Sequence, residues 1–319
     1  MSGPFGLIAG QKVQITGVNV GGSTAQNAYD GTFTIKSVVG DPMFTYDAKV
    51  NVGSGGTGGM AANALGGRQR SMVNSIEYKF NEQVTLAGGG AAFTIAPVSG
   101  PATISTGSVA GTTVTINTTA AHNFHLGDAF NIVTSGGNGS FDGNFVITTI
   151  PSTTSFTYTN ASATGTVTGG TVTLLNITAN YTNPSGDLKT YVLTFSVPAV
   201  PSAIVGGSIT DGGYNLTVNL PSVTLVSNGA HPATSDHSAD VFYRLFGDSK
   251  GTGSGSVNSL QDAARIKKAL GSSANDPASS AAYVAYFDYD LNGTINSLVD
   301  YSQFKKRLGQ SLSGFTPTI

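Results

Sequence analysis

The sequence predicts a mainly β protein, made of small β modules and a β-sandwich and followed by a small all-α domain. Up to about residue 233, short runs rich in Val, Ile, Thr and Phe alternate apolar with polar residues, and Gly, Asn, Ser or Pro separate them. From about residue 239, apolar residues recur at helical spacing instead. We expect a first β module at 1–66, a sandwich at 67–233 that carries a second β module at about 103–173, a helical module at 234–309, and a tail at 310–319.

The composition argues against several classes of protein. Charged residues make up 10% of the chain and the net charge is −2, so we expect no basic surface for nucleic acid. No apolar run approaches the ~20 residues of a membrane-spanning helix, and without Cys there is no disulfide framework. Of the 17 acidic residues, eight lie in 236–300, which leaves the β part few groups for acid–base catalysis. We therefore expect a protein that is not an enzyme.

The two β modules are copies of one sequence pattern. The first contains AYDGTFTIKSV at 28–38, and the second contains SFDGNFVITTI at 140–150. So many matches in register indicate a duplication. The Asp-Gly pair in each copy predicts a tight hairpin turn, because Gly tolerates a positive φ. The matched pairs are Gly10 and Gly127, Ile15 and Ile132, Asp30 and Asp142, Gly31 and Gly143, Phe33 and Phe145, Ile35 and Ile147, Phe44 and Phe156, Thr45 and Thr157, and Tyr46 and Tyr158.

The two copies differ at their starts. A strand at 112–117 precedes the second copy, and nothing equivalent precedes the first in the printed sequence. A β module that lacks one strand exposes an unpaired edge, which invites another chain to supply the strand. Further strands at 174–181, 191–195 and 214–218 predict an immunoglobulin-like sandwich, with the second module inserted in one of its loops.

The helical module contains a second duplication. Residues 258–271 (NSLQDAARIKKALG) align without gaps to 296–309 (NSLVDYSQFKKRLG). Ser259 and Ser297 are the expected N-caps, and Gly271 and Gly309 suit the position after a helix. One apolar face is predicted on each helix, formed by Leu260, Ile266 and Leu270 and by Leu298, Phe304 and Leu308.

The loop before the second helix resembles the front half of an EF-hand calcium loop. Oxygen-bearing side chains occupy positions 1, 3 and 5, and Gly293 stands at position 6. Val299 stands at position 12, where an acid is usual, so we expect Asp300, one residue later, to reach the ion. The first loop, 248–257, has Lys250 and Thr252 where acids would stand, and we expect weak or no metal binding there. The predicted calcium ligands are Asp288, Asp290, Asn292, Thr294 and Asp300.

Residues 241–309, with YRLFGD, AYFDYDLNGTIN and FKKRLG, resemble a dockerin-type calcium module. They are similar to C-terminal modules of secreted planctomycete-type surface proteins, and the preceding β part resembles the immunoglobulin-like domain found before that module. The resemblance implies secretion to the cell exterior or surface, and a binding or structural role. The start MSGPFGLIAG shows no signal-peptide pattern, so the expectation of secretion rests on the resemblance.

Two functions fit this organisation. The first is a structural subunit of an extracellular fibre or surface layer that binds copies of itself or another surface protein by strand sharing, with the tail 310–319 as one candidate donor. The alternative is a secreted adhesin or carbohydrate-binding module that docks to a partner through its dockerin-like end. The low charge is also consistent with a cover of glycans; Asn-x-Ser/Thr acceptor sequences exist, such as the one at Asn215, but they are too common to decide it.

Overall fold

The computed structural model describes residues 12–19, 31–38, 44–46, 57–63, 70–88, 90–136, 139–232, 240–249, 255–274 and 283–312. Two α-helices lie in these ranges, α1 (Gln261–Ala269) and α2 (Asp300–Arg307). The strands are β1 (Lys12–Asn19), β2 (Gly31–Val38), β3 (Phe44–Tyr46), β4 (Thr57–Asn63), β5 (Ile76–Lys79), β6 (Val84–Leu86), β7 (Phe93–Pro97), β8 (Ala102–Ala110), β9 (Thr113–Thr118), β10 (Ala129–Thr134), β11 (Gly143–Ser152), β12 (Ser155–Thr159), β13 (Thr166–Val167), β14 (Gly170–Leu174), β15 (Ile177–Thr182), β16 (Thr190–Ser196), β17 (Gly212–Val218), β18 (Val223–Leu225) and β19 (Asp240–Arg244).

The mainly β character is confirmed, and the second module is a closed barrel. Its sheet order is β13-β8-β14-β10-β11-β12-β9, and an additional pairing joins β8 to β9. Six antiparallel strands therefore form a ring, which removes free edges. Apolar side chains fill the interior, among them Phe130, Phe156 and Tyr158, none of which has measurable exposure. The Phe130 ring packs edge-on against the other two, at centroid distances of 5.4 and 5.3 Å.

The first module contains four described strands in the order β3-β2-β1-β4. Each matches a barrel strand at the same register. Val13 pairs with Phe33 as Phe130 pairs with Phe145, and both modules have a register shift at the same place, before Ser37 and before Thr149. The strands β1, β2, β3 and β4 thus correspond to β10, β11, β12 and β14.

The prediction of a tight Asp-Gly hairpin is wrong for the second module. The strands β10 and β11 are separated by residues 135–142, and Gly143 already belongs to β11, where it pairs with Ile132. The Asp142 carboxylate instead closes the loop, since its Oδ1 accepts a hydrogen bond from Thr134 N at 2.7 Å. Asp30 of the first module lies outside the described residues.

The remaining strands form a six-stranded antiparallel sheet in the order β19-β17-β7-β15-β16-β5 and a two-stranded sheet of β18 and β6. The chain leaves the larger sheet after β7, builds the barrel, and returns in β15. The immunoglobulin-like sandwich is not confirmed: a barrel and curled sheets occur instead, and the strands expected to form the sandwich, β15, β16 and β17, all lie in the one six-stranded sheet. The buried core of the larger sheet includes Ile95, Leu193 and Leu216.

The chain divides into two compact units. One contains β1 to β4 and both helices, and the other contains β5 to β19. Within the second unit, the barrel and the six-stranded sheet are joined by polar contacts: Thr210 Oγ1 donates to Asp128 Oδ1 at 3.1 Å and also contacts the Tyr214 hydroxyl at 2.7 Å. Next to them, Arg244 forms a buried ion pair with Asp211 at 2.7 Å. This network fixes the barrel to the sheet.

Candidate metal centre

The two helical repeats pair through their loops in a symmetric way. Val257 N donates to Gln310 O at 3.0 Å, and at the equivalent place Ile295 N donates to Ser272 O, also at 3.0 Å. Each loop is therefore held by the residues that follow the other helix. The duplication seen in the sequence folds as two equivalent halves.

Asparagines, rather than the predicted serines Ser259 and Ser297, cap the two helices. The side-chain oxygens of Asn258 and Asn296 accept hydrogen bonds from backbone N–H groups of the first turn, at 2.6 and 2.8 Å. The serines make no such bond, because the Asn side chain one residue before each of them already accepts from the N–H groups two and three residues ahead of it. An Asn at this place satisfies the same orphan donors as Ser would.

The predicted apolar faces are partly wrong. Ile266 and Phe304 are buried as expected, but Leu260 is 81% exposed and Leu298 is 87% exposed. Both leucines precede the helices proper, so the 3.6-residue period does not apply to them. Arg307 takes part in the interior instead, with its guanidinium over the rings of Phe246 and Tyr289.

Asp288 is the buried centre of the candidate site. Its carboxylate has no measurable exposure. Its Oδ1 accepts from Asn292 N at 3.1 Å, and its Oδ2 accepts from Gly293 N at 2.8 Å and from the Tyr283 hydroxyl at 2.6 Å. These bonds fold the loop around the carboxylate. Oδ1 has room for a further partner, since a carboxylate oxygen offers two lone pairs.

Asp300 closes the loop from the other end. It is the first residue of α2 and is fully buried. Its Oδ1 accepts from Tyr289 N and its Oδ2 from Asn296 N, both at 2.7 Å. Asp300, one residue after position 12, thus contacts the front of the loop at Tyr289. Val299, at position 12, has no carboxylate to do so.

The structure brings three of the five predicted ligands together. Carboxylate oxygens of Asp288, Asp290 and Asp300 lie within 4.8 Å of one another. Asn292 contacts Asp290 through its amide nitrogen at 3.0 Å, while its side-chain oxygen accepts from Thr294 N and Oγ1. These contacts place Asn292 beside the cluster, with its oxygen directed at Thr294.

The electrostatics of the cluster favour a bound cation. The pKa of Asp288 is raised to about 6, mainly by burial and in part by Asp290 and Asp300, while hydrogen bonds from Tyr283 and Gly293 oppose the shift. Burial also raises the pKa of Asp300. Crowded buried carboxylates resist ionisation because their charges repel one another and are removed from water. A divalent cation would relieve both penalties.

The donor set fits calcium. The three carboxylates are hard oxygen donors, and calcium takes six to eight such donors, with water able to complete the shell. The side-chain oxygen of Asn292 is engaged by Thr294 in this arrangement. Soft thiolate ligands are absent from the chain, which contains no Cys. Asp288, Asp290 and Asp300 would hold the ion, and the ion would tie the loop to the start of α2.

The first loop repeats part of this arrangement. Asp248 Oδ2 accepts from Gly255 N at 2.9 Å, as Asp288 accepts from Gly293, and Asp262 Oδ1 accepts from Ser249 N at 3.2 Å. The Arg265 guanidinium donates to the carbonyl and hydroxyl oxygens of Ser249 and so places a positive charge beside these acids. Lys250 and Thr252, on which the expectation of weak binding rested, lie outside the described residues.

Sequence reasoning missed two side chains that support the site. Tyr283 bonds Asp288, and it lies five residues before the loop motif. Ser71 is fully buried, donates to Tyr286 O at 2.6 Å, and accepts from Gly247 N at 2.8 Å. No local pattern marks Ser71, because its partners are more than 170 residues away.

Asn215, which begins one Asn-Leu-Thr acceptor sequence, lies in the middle of β17. It pairs with Val241 of β19 on one side and Ala96 of β7 on the other. The Asn-Leu-Thr sequence is therefore in a central strand, not in a surface loop of the kind in which such sequences are usually modified.

Comparison of the chain with protein-family models, with curated proteins and with solved structures gives no match. The resemblance to a dockerin-type module therefore rests on the motifs quoted above. None of the helices among the described residues is both long enough and apolar enough to cross a membrane.

Proposed function

We propose that the chain is a secreted structural subunit of an extracellular fibre or surface layer, in which subunits share β-strands. The observation that carries the proposal is the contrast between the two β modules. The second is a ring of six strands, whereas the first has four described strands in an order that ends at β3 and β4. A sheet edge is a template for a strand from another chain.

Calcium has a stiffening role in this proposal. It would bind Asp288, Asp290 and Asp300, which come from a loop and from the first turn of α2. An ion that binds only the folded state stabilises it in proportion to the logarithm of its concentration. The folded helical module would then be more stable outside the cell, where calcium is abundant, and less stable where calcium is scarce.

Electron microscopy of the purified chain, in calcium and after EDTA, tests the proposal. We expect filaments or sheets that fray when calcium is removed. Monodisperse particles in both conditions would contradict it and favour the adhesin alternative. Deletion of 311–319 tests the tail as donor, although residues 313–319 lie outside the described part of the chain; normal assembly of the truncated chain would exclude the tail.

A matched pair of variants tests the calcium site. Asp300→Asn changes an acid of the cluster, and Asp262→Asn changes the acid at the same position of the first repeat, beside Arg265. Calorimetric titration should give one calcium per chain for the parent and for Asp262→Asn, and at least tenfold weaker binding for Asp300→Asn. Two equal sites in the parent chain, or equal losses in both variants, would contradict this assignment.

A further inference from the structure

The two helical repeats anchor their loops through equivalent acids. Asp262 of α1 and Asp300 of α2 occupy matching positions in the aligned repeats, and neither has measurable exposure. Each carboxylate accepts one backbone hydrogen bond from the second residue of its loop and one from the asparagine that caps its helix. The donors, termed the anchor amides, are the N–H groups of Ser249 and Asn258 in the first repeat, at 3.2 and 2.9 Å, and of Tyr289 and Asn296 in the second, both at 2.7 Å.

The first repeat adds a positively charged side chain to this arrangement. Arg265 of α1 donates from Nη1 to the backbone carbonyl of Ser249 and, at 3.3 Å, to its Oγ. The Ser249 hydroxyl in turn donates to Asp262 Oδ1 at 2.7 Å. The amide, hydroxyl and carbonyl of this buried serine are therefore all bonded to side chains of α1. Because hydrogen bonds to charged groups are stronger than those between neutral groups, the chain itself fastens this loop to its helix.

The charges of Arg265 and Asp262 act at the same place. Burial raises the pKa of the Tyr286 hydroxyl, the Arg265 guanidinium lowers it, and the Asp262 carboxylate raises it. Both charges therefore lie within electrostatic reach of one partly buried phenol. The guanidinium is thus close enough to offset the charge of the buried acid.

The second repeat has a different arrangement at the same positions. The alignment of the repeats places Gln303 opposite Arg265, and the side-chain oxygen of Gln303 accepts a hydrogen bond from Arg307 at 2.8 Å. Tyr289 stands in the place of Ser249, so no serine hydroxyl lies between loop and helix. Instead, oxygens of three carboxylates lie within 4.8 Å of one another. The second repeat gathers negative charge where the first supplies a positive charge of its own.

We propose that Arg265 makes the first helical repeat independent of metal. Its guanidinium, acting through Ser249 and Asp262, provides the link between loop and helix that a bound cation provides in the second repeat. This inference rests on the proposed calcium site and assigns the two repeats different roles. The first repeat keeps its loop ordered whether or not calcium is present, and calcium orders only the second.

Hydrogen exchange of the four anchor amides in the full chain, resolved by NMR in EDTA and in millimolar calcium, tests the inference. Rates are expressed relative to those of an unstructured chain. In EDTA, we expect the anchor amides of the first repeat to exchange about tenfold more slowly than those of the second. Calcium should slow the second pair about tenfold and the first pair less than about twofold. Slowing of equal size at all four amides would overturn the inference.

A matched pair of variants tests the part assigned to Arg265. Arg265→Gln installs the residue found at this position of the second repeat, and Lys268→Gln removes the same charge from an exposed position of α1. Arg265→Gln should speed exchange at Ser249 and Asn258 about tenfold, in EDTA and in calcium, and Lys268→Gln less than about twofold. Equal rates in the two variants, or equal acceleration of all four anchor amides by Arg265→Gln, would contradict the proposal.

The outcomes separate this inference from the proposed calcium site. If calcium slows none of the four amides, while the first pair keeps a protection that Arg265→Gln removes, the calcium site is excluded and the role of Arg265 is retained. If calcium slows all four amides alike, calcium binding is retained and the metal-independent first repeat is excluded.

Discussion

The pH dependence of the metal-free helical module follows from Asp288. Its pKa is about 6 in the folded chain, against an ordinary value of 3.8. The folded state therefore binds more protons than the unfolded state between these values, and stability falls as the pH rises through this window. At 1.36 kcal/mol per pKa unit, the penalty at pH 7 is about 3 kcal/mol. Acidification from pH 7 to pH 5 should restore about 1 kcal/mol of it.

Bound calcium should reverse the direction in which the free energy of unfolding changes with pH. Bound carboxylates are ionised, so protons compete with the ion, and acidification from pH 7 to pH 5 should weaken the calcium-bound form. Urea unfolding, followed by circular dichroism at 222 nm, measures both slopes, in EDTA and in millimolar calcium. The variant Asp288→Ala is the control, because it lacks the titrating carboxyl. If the chain in EDTA gains no more stability on acidification than Asp288→Ala does, the assignment of the penalty to Asp288 is refuted.

Three further predictions concern the second unit, and denaturant unfolding checks each of them. Phe156→Ala, in the barrel interior, should cost about 3–5 kcal/mol, because it removes a fully buried ring from a closed core; a loss below 1 kcal/mol would contradict the packing. Arg244→Met should cost about 3–5 kcal/mol, because it leaves Asp211 charged and buried, and adding Asp211→Leu should recover most of the loss. Gly170→Ala should cost more than about 1 kcal/mol, because its φ is 126° and a Cβ would overlap the carbonyl oxygen of Val133, whereas Gly100→Ala, with open space, should be nearly neutral.

The equivalence of strand pairing in the two β modules could be predicted from the sequence, because the repeat aligns the two copies residue by residue. Matching Ile15 to Ile132 and Ile35 to Ile147 gives the same partners that the structure shows in both copies. Closure of the barrel could not be predicted in this way. The pairing of β8 with β14 joins residues about 70 apart, and alternation alone does not say which strand lies beside which.

The residues of the acidic cluster could also be predicted from the sequence, but the ends of the helices beside it could not. The spacing of Asp288 and Asp290 identified the loop, and the absence of an acid at position 12 directed attention to Asp300. The Asn caps and the exposed Leu260 and Leu298 were missed because the start of each helix was misplaced. Helix ends are set by competition between side-chain and backbone hydrogen bonds over one or two residues, and a hydrophobic period does not resolve that competition.

Both duplications in this chain allow one copy to be compared with the other, residue by residue. In the helical repeats, three acids cluster in the second loop, while in the first the Arg265 guanidinium lies beside Ser249 and the paired acids. In the β modules, β8 and β9 close the second copy, and the described strands of the first end at β3 and β4. The residues common to both copies account for the shared fold, so the differences between copies are where specific binding should be sought. The first experiments should therefore address Asp300 rather than the barrel core.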